Sequence, residues 1–348
     1  MHLIDARMVK FNLVMNTQNL QAVPIPPSLT KSLMAGFDTV SNHVGLILFS
    51  ISLDLLLWFG PRLRLSGLIQ SFLDRAMVFP EMGSSDLNET LQISRQIWMV
   101  FAEQFNLLSI LRTLPVGIPS LMVSRSLFEV PFGMPMVFEV SSLRIAFFSS
   151  IFFVLVGLLI GTLYFSVVSQ AAISGKILWR QAIQRWPWAS VQVLLLTIFG
   201  FFLLLATFLP FSCFLSILLL SGLGFERFSF FFILIFSGIL LWWLLPLFFS
   251  PHGIFVNQRV MWTSVRDSIR LTRQTLPTTG LLVLVFVVIG VGLDLLWKVP
   301  PETSWLAMIG VIGHAFVATS LLATSFIYYH DADQWIHEVS QQAKLSSS

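Results

Sequence analysis

The sequence predicts an all-α polytopic membrane bundle of about six spans, and three observations carry that prediction. Hydrophobic residues make up 56% of the 348 and charged residues only 11%, with a mean hydropathy of +0.84. A typical soluble domain carries roughly 25% charge, and one this apolar would expose patches that soluble monomers avoid. The apolar residues gather into runs of about 20, the length that crosses the hydrocarbon core at 1.5 Å per residue. Basic residues fall in the short links between those runs, which is a topology signal.

Residues 1–33 form a mixed arm ending in Pro24 to Pro27. It lacks the apolar core and cleavage site of a signal peptide, so it is expected to remain on the protein. The first span is expected over Val40 to Gly60, with Pro61 marking its exit. A connection at 61–143 follows, read as external and near charge balance. Helices are expected there at about 65–77 and 88–113. Glu103, Gln104 and Asn106 interrupt the apolar residues of the second, and an acid at mid-bilayer costs about 3 kcal/mol. That segment is therefore expected to be interfacial or re-entrant. Pro115 to Pro119 and Pro131 to Pro135 read as rigid turns.

The second span is expected from Ala146 to Gln170, followed by a basic segment from Lys176 to Trp188. The third begins near Val191, with Pro210 kinking a helix that continues to Leu220; such kinks are tolerated in lipid. The fourth covers about 229–249. After Pro251, Ile254, Met261, Val265 and Ile269 form one stripe, and Arg259, Arg266, Arg270 and Arg273 form a second beside it. This pattern predicts an interfacial helix with its apolar face in lipid and its arginines snorkelling. The fifth and sixth spans are expected at about 279–297 and 305–327. A polar C-terminal tail at 331–348 is expected to be mobile at its end. Residues 34–330 thus form one membrane domain.

Six spans place both termini on one side. The links at 173–188 and 251–277 join them there with three and four Lys/Arg, against one each in the opposite turns at 221–228 and 298–304. The positive-inside rule then predicts a multi-pass protein of the cell membrane with both termini cytoplasmic. Arg62 and Arg64, external just after the first span, break the pattern.

Two short echoes suggest internal repetition. Lys176-Ile-Leu-Trp179 matches Arg259-Val-Met-Trp262, and Ser28 to Asn42 reads as a degenerate third copy. Each unit is an interfacial helix followed by a helical hairpin, all in one orientation, unlike inverted transporter repeats. Leu53-Asp54-Leu-Leu-Leu-Trp58 also echoes Leu293-Asp294-Leu-Leu-Trp297.

This layout resembles a loose group of bacterial six-helix proteins similar to the membrane domain attached to some glycerophosphodiester phosphodiesterases. The stretch Pro251 to Thr279, with Trp262, Ser264 and Ser268, carries the likeness best; it extends less clearly through 145–330. The resemblance implies architecture only, because the phosphodiesterase catalytic domain has no counterpart in this sequence.

The sequence offers little chemistry. It contains no H-E-x-x-H, Walker A loop, G-x-S-x-G elbow or Cys/His metal cluster, so no catalytic residue, metal or cofactor is expected. The one cysteine, Cys213, permits no intramolecular disulfide and reads as a small buried hydrophobe. No dense basic patch with interleaved aromatics points to nucleic acid. Ionisable groups within spans are costly and often functional, which singles out Asp54, Asp294 and His314. They are predicted to form a polar cluster in the outer half of the bundle, able to bind a cation, shuttle protons or hold a lipid headgroup. The plainer alternative is two aspartates reaching interfacial water and a histidine bonded to a neighbouring helix. Three functions follow in order of weight: a non-enzymatic accessory or scaffold with a membrane-protein partner, a small transporter or lipid-handling permease, and an intramembrane lipid enzyme. Membrane lipids are partners under all three.

Overall fold

The computed structural model describes residues 26–76, 85–125, 129–220 and 225–347. Five described helices are long and apolar enough to cross a membrane: Leu143–Ser174, Trp179–Ile217, Phe230–Val256, Leu276–Trp297 and Ala307–Gln342. A bent pair, Leu29–Asn42 and Val44–Phe59, meets at 91° and makes a sixth if it counts as one span. The protein is therefore an all-α polytopic bundle. Of the N-terminal arm, residues 1–25 lie outside the described residues.

Helix α1 (Leu29–Asn42) ends at His43, whose backbone leaves the helical region at φ −131° and ψ 56°. A 3-10 turn (Val44–Ile47) then leads into α2 (Leu48–Phe59). At helical rises the turn and α2 together reach about 26 Å, close to a bilayer core. α1 runs antiparallel along the C-terminal helix α11 (Ala307–Ser347). Phe37 meets Phe316 edge-on, while Leu29 packs near Tyr328 and Ile336. Gly36 allows this approach, because a Cβ there would overlap the Thr324 hydroxyl and the Ser320 carbonyl. Small residues bring helix backbones together where lipid supplies no hydrophobic drive.

The expected external connection is in part embedded. Strand β1 (Arg62–Arg64) pairs in parallel with β2 (Val137–Glu139), tying the connection's two ends together. Between them lie α3 (Ser66–Ala76) and α4 (Ser85–Gln104). Ile97, Trp98 and Phe101 of α4 are exposed. From the 3-10 turn Leu107–Leu111 to the turn Met122–Ser124 the chain enters the bundle. Leu107, Val116 and Leu121 are at most 1% exposed. The segment seats against α5 (Leu143–Ser174), where a Cβ on Gly161 would overlap the Val116 carbonyl and one on Gly157 the Leu111 carbonyl.

Helix α6 (Trp179–Leu220) holds both Pro187 and Pro210. The basic segment expected to form a separate interfacial helix is thus its first turns. α7 (Phe225–Leu247) returns, and the short α8 (Ser250–Val256) leads to α9 (Met261–Gln274) and α10 (Leu276–Trp297). Cys213, expected to be buried, is exposed on α6. Residues 331–347, expected as a tail, continue α11.

The apolar face of the Arg259 to Arg273 segment, expected in lipid, packs on protein in α9. Met261 and Val265 are buried against protein, as are Ser264, Ser268 and Thr272, which recur every four residues along one face. Ser264 Oγ donates to the Ser250 carbonyl at 2.5 Å, and Ser268 Oγ to the Pro246 carbonyl at 2.7 Å. These hydroxyls are taken up by the protein's own backbone carbonyls, so this face is a contact within the protein. Arg266, Arg270 and Arg273 project from the exposed side.

Candidate functional site

The three polar residues expected to cluster divide into a pair and a single. The pair forms because Trp297, at the end of α10, lies across Gly310 and Gly313 of α11. That contact brings Asp294, one turn earlier, to His314: Nδ1 and Oδ1 are 2.7 Å apart, with the side chains 11% and 31% exposed respectively. With the carboxylate accepting, Nδ1 carries the proton. His314 Nε2 is buried without a hydrogen-bond partner.

Asp54 is wholly buried and turned toward the embedded segment. Its Oδ1 accepts from Ser120 Oγ at 2.5 Å and from the Met122 amide at 2.9 Å, and its Oδ2 accepts from the Leu121 amide at 3.2 Å. It thus caps the 3-10 turn Met122–Ser124 as an N-cap carboxylate caps a helix. Nearby, Ser50 Oγ donates to the Pro119 carbonyl at 2.5 Å. Among the described residues no hydrogen bond or ion pair joins Asp54 to either member of the pair.

Three further groups fix this end of the bundle. Arg125 donates to the Trp297 carbonyl at 2.9 Å and the Pro300 carbonyl at 3.0 Å, with Glu302 at 3.5 Å. Burial holds its pKa below the ordinary arginine value, against the raising pull of Glu302 and Asp54. Trp58 Nε1 donates to the Glu302 carbonyl at 3.0 Å. The embedded segment is therefore stitched to α2 and to the α10–α11 link.

At the other end, Arg259 leaves the basic stripe. Its two Nη atoms make a bidentate pair with Asp333 of α11, both at 3.1 Å, and Nη1 also reaches Tyr329 Oη at 3.1 Å and Asp267 at 3.2 Å. Asn257 donates to Asp333 at 3.0 Å. Burial lowers the Arg259 pKa, but Asp333, Tyr329 and Asp267 outweigh it and leave the group more basic than usual. Arg259 belongs to a junction inside the protein, and the snorkelling role is withdrawn for it. Sequence reasoning missed Asp333 because it fell in the expected tail, and Arg125 because it fell in the expected loop. Among the described residues no group of three His, Cys, Asp or Glu side chains is placed to hold a metal.

No protein-family model, curated protein or solved structure matches this chain.

Proposed function

We propose that this protein is a non-enzymatic accessory or scaffold of the cell membrane, with both termini cytoplasmic and a membrane-protein partner. One observation carries the reading: the charged groups that would serve a transport path are largely occupied in holding the fold. Asp54 caps the embedded turn, Asp294 meets His314, Arg125 bridges to the α10–α11 link and Arg259 is forked onto Asp333. Groups so engaged favour one conformation, whereas alternating access needs elements with two arrangements. The charge bias of the short links supports the orientation.

The test is isolation from the native membrane in mild detergent. A stoichiometric co-purifying membrane protein, lost on stringent washing, is the expected result. A lone monomer that carries out flux in proteoliposomes overturns the reading and favours the permease. One observation favours that second reading: the Asp294 carboxylate is 31% exposed beside a histidine nitrogen with no partner. Under it, Asp294→Asn abolishes flux.

A further inference from the structure

Four acidic, basic or histidine side chains are buried among the described residues: Asp54, Arg62, Arg125 and His252. Asp54 and Arg125 are bonded as above, and His252 Nε2 meets Ser325 Oγ at 2.7 Å. Arg62 differs. It is 6% exposed, its Nη2 is buried without a partner, and no described carboxylate pairs with it. The β1–β2 ladder holds it there through its own amide, which donates to the Met136 carbonyl at 2.8 Å. Arg64, two residues along the strand, is on the same face. Burial, reinforced by that like charge, brings the Arg62 pKa down to about 10, so the group remains a cation at neutral pH.

Arg62 lines a half-open cavity of about 250 Å³ beneath α4. Arg125 also lines it; its Nη atoms are engaged with the α10–α11 link, but its Nε is buried without a partner. Ser109, Ser124, Gln104 and Asn106 supply further polar groups, and among the described residues no Asp or Glu lines the space. Phe101 and Phe105 stand at its apolar side, continuous with the exposed Ile97 and Trp98 of α4. A buried cation without a counter-charge is costly, and an anion in this cavity removes that cost. The fork of an arginine matches two oxygens of one phosphate. Pockets for drug-sized ligands run to roughly 300–1,000 Å³, so this one has room for a headgroup and none for acyl chains.

We propose that the cavity between Arg62 and Arg125 binds a phosphate group, carried by a membrane lipid headgroup or free in solution.

The experiment uses the full chain, stripped of lipid by detergent exchange, and reads thermal unfolding. The probes are inorganic phosphate against chloride at equal ionic strength, and phosphatidylglycerol against diacylglycerol in mixed micelles. The expected result is a rise in Tm with phosphatidylglycerol, or with inorganic phosphate, and no rise with the matched control. A response to the lipid alone assigns a headgroup; a response to phosphate alone assigns a soluble anion. Arg62→Gln is expected to unfold at the wild-type temperature or above without probe, because it removes an uncompensated charge, and to lose the response. Arg62→Lys keeps the charge without the fork and is expected to bind about tenfold more weakly. Absence of a response from wild type to either probe overturns the proposal. So does an Arg62→Gln variant that responds like wild type, or one that is less stable than wild type before any probe is added. None of these outcomes depends on whether a protein partner co-purifies.

Discussion

Helices α5 and α11 on one side, and α6 and α7 on the other, are built from similarly apolar residues and have opposite fates. Within the most apolar stretches of α5 and α11, 50% and 56% of residues are buried inside the protein. The corresponding figures are 11% for α6 and 0% for the span containing α7. The difference lies in small and polar residues. α5 has Gly157, Gly161 and Thr162 on its buried side, and α11 has Thr319, Ser320 and Thr324 on its own. These let backbones approach and give hydrogen bonds, such as Tyr164 Oη to Thr319 Oγ1 at 3.0 Å. Large hydrophobes such as Phe201, Phe231 and Trp242 face outward from α6 and α7. In lipid, apolarity alone assigns no partner; small side chains and polar contacts do.

The comparison predicts that substitutions in the packed half are expensive and those in the outer hairpin are cheap. The largest effect is expected at Asp54. Asp54→Ala leaves Ser120 Oγ and two amides without an acceptor in a buried site and costs about 3–5 kcal/mol. Thermal unfolding in detergent measures this, and thiol labelling of Ser124→Cys in a Cys213→Ser background should speed up as the turn loosens. Next is Arg259→Ala, which strands Asp333 and costs about 2–3 kcal/mol, discounted because the pair is partly solvated. Arg259→Lys should recover only part of it, since a lysine cannot fork. Gly161→Ala drives a methyl into the Val116 carbonyl and costs about 1–3 kcal/mol. At the low end, Phe231→Ala and Trp242→Ala should each change stability by less than about 0.5 kcal/mol, since lipid surrounds those side chains in either state. A large loss from either of the last two would show that α7 has a protein neighbour and would end the contrast.

How much of this was legible in the sequence follows from the range over which each signal acts. Span positions depend on local apolar runs, and the later helices fall close to where those runs put them. The Asp294–His314 pair was within reach because a short link makes α10 and α11 neighbours. The capping role of Asp54 was not: its partners are 66 to 68 residues away in a segment without periodicity. For α9, the same period that predicts an apolar face in lipid also predicts one packed on protein. Ser264, Ser268 and Thr272 were the signal that separated the two, since hydroxyls at every fourth residue seek acceptors. Arg62 also left a trace, as an exception to the charge bias expected of the links.

The C-terminal helix spans 41 residues without a break, about 60 Å at the helical rise and twice the hydrocarbon thickness. At one station it grips Arg259 through Asp333; at another, His314 touches Asp294; along its flank lies α1. A continuous rod moves as a unit. Any tilt imposed at one end of this rod is carried along its length to its contacts with α10, α1 and Arg259.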